Sequence, residues 1–318
     1  MKAAVVSAFD VPPRYGDYPD PVPAGDSEVV VDMLAAGLHP RVRSQANGSH
    51  YTSSGELPLV PGIDGVGRSL DGLLRYFILP DTTLGTMAER TVVDTRRSVV
   101  LPAGCDPVTV AAAMNPAMSS WVALRQRIDF LAGQDVLVLG ATGNAGRLAV
   151  QVAKLFGANR IVAAGRDAGR LAALPAAGAT ETVWLDGEPT NVARELGRAA
   201  ADVDVVIDYL WGEPTTAALT AIVTGRADRG QPLTWIEIGS VAGPAAQIPS
   251  AALRAARLTV VGSGQGSISA REYLAELPAL AEAITTRALD VGARAMPLAD
   301  VGEAWADTGA TDRVVLVP

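Results

Sequence analysis

Cysteine is nearly absent from this chain, since Cys105 is the one cysteine among 318 residues. A single thiol excludes an internal disulfide, and it also excludes a structural zinc site built from several cysteines. Long apolar runs are missing too, because no hydrophobic stretch reaches the roughly 18 residues that a membrane-spanning helix needs. The first residues, MKAAVVSAFD, lack the long apolar core of a signal peptide. We therefore expect a soluble, cytoplasmic protein that does not enter a membrane.

Positive charge is in deficit. Lysine and arginine total 26 residues against 34 aspartates and glutamates, so the net charge is −8. A nucleic-acid-binding protein normally carries a basic face, and no run of like charges occurs in the sequence. We therefore expect no nucleic-acid partner and no anionic membrane surface as a partner.

Hydrophobic residues are plentiful, at 49% of the chain, which is enough for the cores of two domains. Up to about residue 110, strand-like segments such as EVVVDMLAAG and ERTVVD alternate with Pro- and Gly-rich breaks at 11–28 and 47–67, which indicates a small β-barrel or irregular sheet. The segment PVTVAAAMNPAMSSWVALRQRI then predicts a helix interrupted at Pro116. Strand-like and helical segments alternate from there to LTVVGSG, which is typical of a doubly wound parallel sheet.

A glycine-rich turn follows the first of these later strands, where VLVL runs into GATGNAG and then into residues with helical spacing. Glycine lets the backbone approach a pyrophosphate without a Cβ in the way, and the N-terminus of the following helix attracts negative charge. A tight turn without a ligand is the alternative. The motif alone also suits a short-chain reductase or a sugar-nucleotide epimerase, but those folds place it near the N-terminus. The candidate cofactor-binding residues of the turn are Gly140, Thr142, Gly143, Asn144, Ala145 and Gly146.

The end of the second strand, RIVAAG, indicates which nicotinamide cofactor binds. An NAD site usually carries an acidic residue about 20 residues past the glycines, where it bonds the ribose 2′-OH. Here the strand ends in Gly165 and is followed by Arg166, with Arg170 one helical turn further on. Arginine binds a 2′-phosphate bidentately, so we expect NADPH. Asp167 leaves the alternative open, because a shift of two residues would restore an acid of the NAD type.

Taken in order, several motifs resemble the medium-chain dehydrogenase/reductase superfamily, and within it the zinc-independent quinone oxidoreductase branch. The resemblance covers nearly the whole chain and rests on AAGLHP (35–40), LPLVPGIDGVG (57–67), GTMAER (85–90), NPAMSSWVAL (115–124), GATGNAG (140–146), GSVAG (239–243), GSGQGS (262–267) and the closing RVVLVP. It implies an α/β protein in which residues 1–115 and 268–318 form a GroES-like β-rich catalytic domain. Residues 116–267 would form the inserted Rossmann dinucleotide-binding domain. The resemblance also implies a homodimer formed edge to edge near LTVVGSG.

The resemblance assigns further site residues. His39 stands where quinone reductases commonly carry Asn and is expected to face the nicotinamide ribose, unless it is a structural histidine. Ser119 matches a family threonine that holds the nicotinamide amide, unless it only packs its helix. The remaining residues expected to line this pocket are Gly239, Ser240, Gly262 and Ser263. Zinc-dependent relatives use a cysteine and the histidine of a GHE motif, where this chain has His39 and Ile63, so no metal site is expected.

The loop ANGSHYTSSGELP (46–58) carries the candidates His50 and Tyr51. The quinone reductases carry a tyrosine at a position matching one of them, and a tyrosine hydroxyl can bond a substrate carbonyl or relay a proton. A mobile loop with an exposed aromatic residue is the alternative. His39, His50 and Tyr51 are therefore the candidate catalytic residues, with water as another proton source.

These features together predict an NADPH-dependent reductase that transfers hydride to a quinone or an α,β-unsaturated carbonyl. One alternative is an enoyl reductase of a biosynthetic pathway. The other, from a different class, is a non-catalytic NADPH-binding protein such as a redox sensor. Turnover of NADPH separates the enzymes from the binding protein.

Overall fold

The computed structural model describes residues 1–50, 53, 55–80, 82–309 and 311–318. The chain divides into two compact units, one formed by Met1–Asn115 with Leu274–Pro318 and the other by Pro116–Tyr273. A mixed sheet organises the first unit, and a parallel sheet organises the second. The predicted α/β class with a doubly wound parallel sheet is therefore confirmed.

The described residues form these elements in chain order. The strands are β1 Lys2–Val5, β2 Arg14–Asp17, β3 Glu28–Gly37, β4 Asp64–Ser69, β5 Leu74–Ile78, β6 Arg90–Asp94, β7 Ser98–Val100, β8 Val136–Leu139, β9 Ile161–Gly165, β10 Glu181–Trp184, β11 Val205–Asp208, β12 Leu233–Glu237, β13 Leu258–Gly262, β14 Ala293–Pro297 and β15 Arg313–Val317. The helices are α1 Pro40–Ala46, α2 Pro107–Val122, α3 Asn144–Leu155, α4 Ala168–Ala177, α5 Pro189–Ala200, α6 Gly212–Gly225, α7 Ser250–Ala255, α8 Ala270–Thr285 and α9 Val301–Ala306.

The first unit is built around the long strand β3, which pairs antiparallel with β4, β6 and β15. The order of the mixed sheet is β14-β15-β3-β4-β5-β7, with β6 attached to β3. One apolar cluster fills its interior and joins residues from both parts of the chain, including Val31, Phe77, Met87 and Leu316. The C-terminal strands thus complete the sheet that the N-terminal segment begins.

Two strands of this unit lie where the sequence pattern predicts breaks. The Pro- and Gly-rich stretch 11–28 contains β2, and the stretch 47–67 runs into β4. In β4 the glycines allow close approach of β3, because a Cβ on Gly65 would lie 2.8 Å from the carbonyl oxygen of Ala35. The interpretation of 64–67 as a break was therefore wrong, since glycine there serves strand packing.

The second unit carries a six-stranded sheet in the order β10-β9-β8-β11-β12-β13, and every pairing in it is parallel. Its central strands are buried and apolar, as expected for a sheet covered by helices on both faces. The core of this unit includes Leu137, Val162, Val206 and Trp235 together with residues of α5 and α6. The sheet therefore brings all its carboxyl ends to one edge.

Helix α2 corrects another expectation, because it continues through Pro116 without interruption. Eleven of its sixteen residues are buried, among them Met114, Met118 and Trp121. The stabilisation gained by burying a helix that is apolar on several faces exceeds the stability lost with the hydrogen bond that a proline removes. Among the described residues, no helix is both long enough and apolar enough to cross a membrane.

Candidate functional site

The carboxyl edge of the parallel sheet gathers residues that are far apart in sequence. The positions at or just after the strand ends are Gly140, Gly165, Tyr209, Gly239 and Gly262. Strand order reverses between β8 and β11, and ligands of open α/β sheets bind at such a switch point. Gly140 and Tyr209 flank it, and a Cβ on Gly140 would lie 3.3 Å from the Cβ of Tyr209. This edge is the candidate nucleotide site.

The glycines of the turn after β8 have different tasks. Gly140 has a φ of +83°, which favours glycine. A Cβ on Gly146 would lie 2.2 Å from the carbonyl oxygen of Gly140, so this position packs α3 against the turn. Gly143 is exposed, and a Cβ there would meet nothing closer than the Gly140 oxygen at 3.5 Å. The protein itself therefore leaves space for a side chain or a ligand at Gly143.

The start of α3 fits an anionic group. Gly143 is the N-cap, and no side chain caps the helix. The first N–H groups of Asn144, Ala145 and Gly146 are therefore not satisfied by a capping side chain, and they carry the positive end of the helix dipole. Thr142 lies beside them, and a Cβ on Gly165 would lie 2.5 Å from its Cγ2. Gly165 thus makes room for the side chain of Thr142.

The residues after β9 separate the two cofactor alternatives. Asp167 is the N-cap of α4, where its Oδ1 accepts from the backbone N–H of Arg170 at 2.9 Å. Its Oδ2 lies 3.4 Å from Nε of Arg170. The carboxylate that an NAD site would need is therefore engaged in capping. Arg166 is exposed, and its carbonyl oxygen accepts from Nε1–H of Trp184 at 2.8 Å, which holds the backbone at the strand end.

Ser119 lies on α2 and is bonded to Tyr209. Its Oγ–H donates to the carbonyl oxygen of Pro116 at 2.8 Å, and its Oγ lies 2.8 Å from Oη of Tyr209. Because serine has a single proton, the Tyr209 hydroxyl donates to Ser119 in this arrangement. Burial raises the pKa of Tyr209 to about 12, so the phenol keeps its proton. Ser119 therefore offers an acceptor to a ligand.

A buried carboxylate shapes the turn that carries Tyr209. Asp208 is fully buried at the end of β11 and accepts from the backbone N–H groups of Leu210 and Trp211. It also accepts from Oγ1–H of Thr215 at 2.6 Å and from Nε1–H of Trp235 at 2.9 Å. These four bonds fix the turn 209–212 beside the switch point.

The other predicted pocket residues lie at the ends of the last two strands. Gly239 donates its N–H to the carbonyl oxygen of Asp208 at 3.2 Å, and Ser240 next to it is exposed. Gly262 ends β13, and its carbonyl oxygen accepts from Nε of Arg127 at 2.9 Å. Ser263 donates its N–H to the carbonyl oxygen of Glu237. The structure therefore places all four on the carboxyl edge of the sheet.

The first unit contains a separate polar cluster around His39. His39 is the N-cap of α1, and its Nε2 lies 2.8 Å from Oδ1 of Asp64. The hydroxyl of Tyr76 donates to Oδ2 of Asp64 at 2.8 Å. Arg313 donates to the carbonyl oxygen of Leu38, next to His39. All of these side chains are buried.

Burial shifts the pKa values of the titratable side chains His39 and Arg313 in this cluster. Desolvation lowers the pKa of His39, and although Asp64 opposes it, Arg313 and Arg41 add to the lowering. Desolvation also lowers the pKa of Arg313 to about 10, so the guanidinium stays charged near pH 7. His39 is therefore neutral near pH 7.

The remaining predicted residues are the catalytic candidates His50 and Tyr51 and the position of Ile63, where zinc-dependent relatives carry a histidine. His50 is half-buried just after α1, and its N–H donates to the carbonyl oxygen of Ser44. Tyr51 lies outside the described residues. Ile63 is fully buried in the apolar core, and within the described ranges no three His, Cys, Asp or Glu side chains group as metal ligands do.

Four residues with site contacts escaped sequence reasoning: Asp64, Tyr76, Asp208 and Tyr209. Asp64 lies within the PGIDGVG motif, and Asp208 ends an apolar strand. An acidic residue among apolar residues and glycines was the sequence signal that could have identified both. Tyr76 and Tyr209 carried no signal, because only the fold shows their partners.

The chain is similar over its full length to a curated protein and to a solved structure. It is 31% identical to a probable NADPH-dependent quinone reductase of Emericella nidulans, with 100% of both chains covered. The quinone oxidoreductase of Thermus thermophilus, whose structure was solved with NADPH, superposes with a TM-score of 0.79 at 26% identity over both full chains. A trans-enoyl reductase of Aspergillus terreus is 26% identical over 60% of this chain and 57% of that protein. No protein-family model matches the chain.

Proposed function

Because the chain belongs to the quinone oxidoreductase-like branch of the medium-chain dehydrogenase/reductase superfamily, we propose that it transfers hydride from NADPH to a quinone or an α,β-unsaturated carbonyl. It is an NADPH-dependent oxidoreductase. The observation that carries the proposal is the uncapped glycine turn at the start of α3, on the carboxyl edge of a parallel sheet. When bound, NADPH supplies two electrons and one hydrogen as hydride from nicotinamide C4.

The residues of the chain have distinct proposed tasks toward the cofactor. The backbone of Gly143–Gly146 binds the pyrophosphate, and Arg166 with Arg170 binds the 2′-phosphate. Ser119, supported by Tyr209, accepts from the nicotinamide amide. His39 and the backbone at Gly239, Ser240, Gly262 and Ser263 complete the predicted contacts. Engagement of Asp167 in capping α4 supports the preference for the phosphate.

Reduction also needs one proton for each hydride. His50, Tyr51 and water are the proposed sources, and Tyr51 remains a prediction from the sequence alone. His39 is a poor acid here, because burial lowers its pKa and its Nε2 is bonded to Asp64.

Several broader features belong to the same proposal. The unit with the mixed sheet corresponds to the proposed GroES-like catalytic domain, predicted over 1–115 and 268–318, and the unit Pro116–Tyr273 to the proposed Rossmann domain, predicted over 116–267. The enzyme works without zinc, since Ile63 occupies the place of a metal-binding histidine and is packed in the core. It is a cytoplasmic homodimer that acts on a small molecule, and its acidic charge disfavours nucleic acid.

An enoyl reductase is the second candidate, favoured by the similarity to the trans-enoyl reductase. Both candidates share hydride transfer to an electron-poor carbon and differ in the size of the acceptor. A non-catalytic redox sensor is the remaining alternative.

Steady-state turnover with a panel of quinones, enones and enoyl thioesters tests the proposal. NADPH oxidation at 340 nm is expected with at least one acceptor class, and exhaustive chelation should leave the rate unchanged. Tight NADPH binding without turnover of any acceptor would support the sensor. Loss of activity on chelation, restored by zinc, would contradict the zinc-free mechanism.

A further inference from the structure

Trp184, at the end of β10, connects two loops on the carboxyl edge of the parallel sheet. Its indole Nε1–H donates to the carbonyl oxygen of Arg166 at 2.8 Å, across 18 positions of sequence. Its six-membered ring lies beside Gly187 in the following loop, where an added Cβ would be 3.7 Å from Cε3 and from Cζ3. The residue is nevertheless 50% exposed. The indole is therefore held by specific contacts although half of the residue faces solvent.

Three consecutive residues at the end of β9 are each held by a different contact. Gly165 pairs with Trp184 in the sheet, and its carbonyl oxygen accepts from the backbone N–H of Leu185 at 2.9 Å. Arg166 is held through its carbonyl oxygen, and among the described residues none besides Trp184 donates to that oxygen. Asp167 is held because it caps α4. The indole N–H is thus the contact that fixes the backbone at Arg166.

The guanidinium of Arg166 carries no comparable restraint. It is exposed, and within the described part of the chain it has no hydrogen-bond or salt-bridge partner. A long side chain loses rotamer freedom when it binds a ligand, so the direction in which it leaves the backbone decides how many of its rotamers reach that ligand. Release of the Arg166 carbonyl would let the peptide before Asp167 rotate and would spread those directions.

We propose that Trp184 is a positioning residue that sets the preference for a 2′-phosphate, because its indole N–H holds the Arg166 carbonyl and so directs the guanidinium. This inference deepens the proposed function and rests on its assignment of the 2′-phosphate to Arg166. Trp184 itself takes no part in that assignment. Both residues and their contacts lie within the unit Pro116–Tyr273.

Nitrogen NMR tests the hydrogen bond without any ligand. The chain has five tryptophans, so ¹⁵N-tryptophan labelling shows five indole N–H signals, and Trp184→Phe assigns the one from Trp184. We expect this N–H to exchange with water more slowly than that of free tryptophan, although the residue is half exposed, because a hydrogen bond must open before exchange. Exchange at the rate of free tryptophan would overturn the proposal.

Binding of nucleotide fragments tests the positioning role without turnover. Adenosine 2′,5′-bisphosphate carries the 2′-phosphate, adenosine 5′-monophosphate lacks it, and neither carries the nicotinamide. Trp184→Phe keeps an aromatic ring beside Gly187 and removes the N–H donor. It should weaken binding of the bisphosphate about three- to tenfold, which is the effect of one neutral hydrogen bond, and change binding of the monophosphate by less than about twofold. Isothermal titration calorimetry gives both dissociation constants.

A double-mutant cycle shows whether Trp184 acts through Arg166. In the Arg166→Ala background the guanidinium is gone, so Trp184→Phe should change binding of the bisphosphate by less than about twofold. A merely structural contribution would persist in that background and would weaken both fragments equally. Thr220→Val is the matched control, because it removes another bond from an exposed side chain to a backbone carbonyl, that of Thr216 on α6. It should leave both dissociation constants unchanged.

The outcomes separate the role of Trp184 from the proposed function. If the wild type prefers the bisphosphate and Trp184→Phe keeps that preference in full, the positioning role is refuted. If the wild type binds the two fragments equally, the assignment of the 2′-phosphate in the proposed function is refuted, and the positioning role is refuted with it. The exchange rate of the indole N–H then still decides whether Trp184 holds Arg166.

Discussion

Arg166 and Asp167 are neighbours at the end of β9 and would have opposite effects on the choice of cofactor. An exposed guanidinium attracts a 2′-phosphate, whereas a carboxylate at the strand end repels it and bonds a ribose hydroxyl. In the structure Asp167 caps α4 and pairs with Arg170, while the Arg166 side chain is exposed. Local hydrogen bonding thus gives the two residues separate tasks.

Arg166→Ala should weaken NADPH binding about ten- to a hundredfold and leave NADH binding nearly unchanged. A charge-assisted hydrogen bond contributes on the order of 1.5–3 kcal/mol, and each 1.4 kcal/mol is about tenfold in Kd. The measurement is the pair of dissociation constants for wild type and variant. Equal loss of both cofactors, or tighter NADH binding by the wild type, would move the assignment to Asp167.

At this scale, residue types and spacing predicted which positions lie along the carboxyl edge of the parallel sheet. The turn 140–146, Gly165 and the positions around Gly239 and Gly262 all lie on the carboxyl edge that a parallel sheet requires. The hydrogen-bond partners of His39 and Ser119 could not be predicted from the sequence. Asp64 and Tyr209 meet them across 25 and 90 positions of sequence, and no local pattern encodes such pairings.

At the scale of elements, the turn between β8 and α3 combines a glycine that packs against backbone with an N-cap glycine whose added Cβ would meet no close protein atom. Gly146 closes against the carbonyl oxygen of Gly140, and Gly143 faces outward. Substitutions at Gly146 and Gly143 therefore test the stability of the fold and the binding of the ligand separately.

Gly146→Ala should destabilise the protein by about 1–3 kcal/mol, because its Cβ would overlap backbone atoms. Gly143→Ala should cost less than about 1 kcal/mol, since its Cβ makes an ordinary contact, although alanine is the poorer N-cap. It should nevertheless weaken NADPH binding at least tenfold. Denaturant unfolding and cofactor titration of both variants check this. Normal NADPH affinity of Gly143→Ala would show that the pyrophosphate lies elsewhere.

Strands and helices of the second unit follow the sequence pattern closely, whereas the first unit departs from it. Alternation of apolar strands with amphipathic helices is a strong signal over 136–262. The sequence pattern wrongly predicted a break at Gly65 and a helix interruption at Pro116. Both predictions failed because tertiary packing outweighs local propensity. Gly65 serves the approach of two strands, and Pro116 lies in a helix whose burial compensates for a missing hydrogen bond.

At the scale of the whole molecule, β13 is an edge strand of the parallel sheet. An unpaired edge offers backbone donors and acceptors to a second copy of the chain. Its side chains are half-buried or exposed, and Thr259 is exposed. The homodimer proposed from the family resemblance would use this edge.

Sedimentation velocity should show a dimer for the wild type, and Thr259→Lys should shift it toward monomer. The substitution puts like charges near each other across an edge-to-edge interface and leaves an exposed position otherwise intact. Circular dichroism of the variant serves as the control for folding. A wild type that stays monomeric at every concentration would contradict the dimer.

The central claim is direct hydride transfer from NADPH to an electron-poor carbon of the substrate. The measurement is turnover of an enone with NADPH deuterated at C4, prepared separately on each face, followed by mass spectrometry and NMR of the product. We predict one deuterium at the β-carbon from one of the two labelled cofactors and none from the other. NADPH oxidation that leaves no deuterium in the product with either cofactor would contradict the claim.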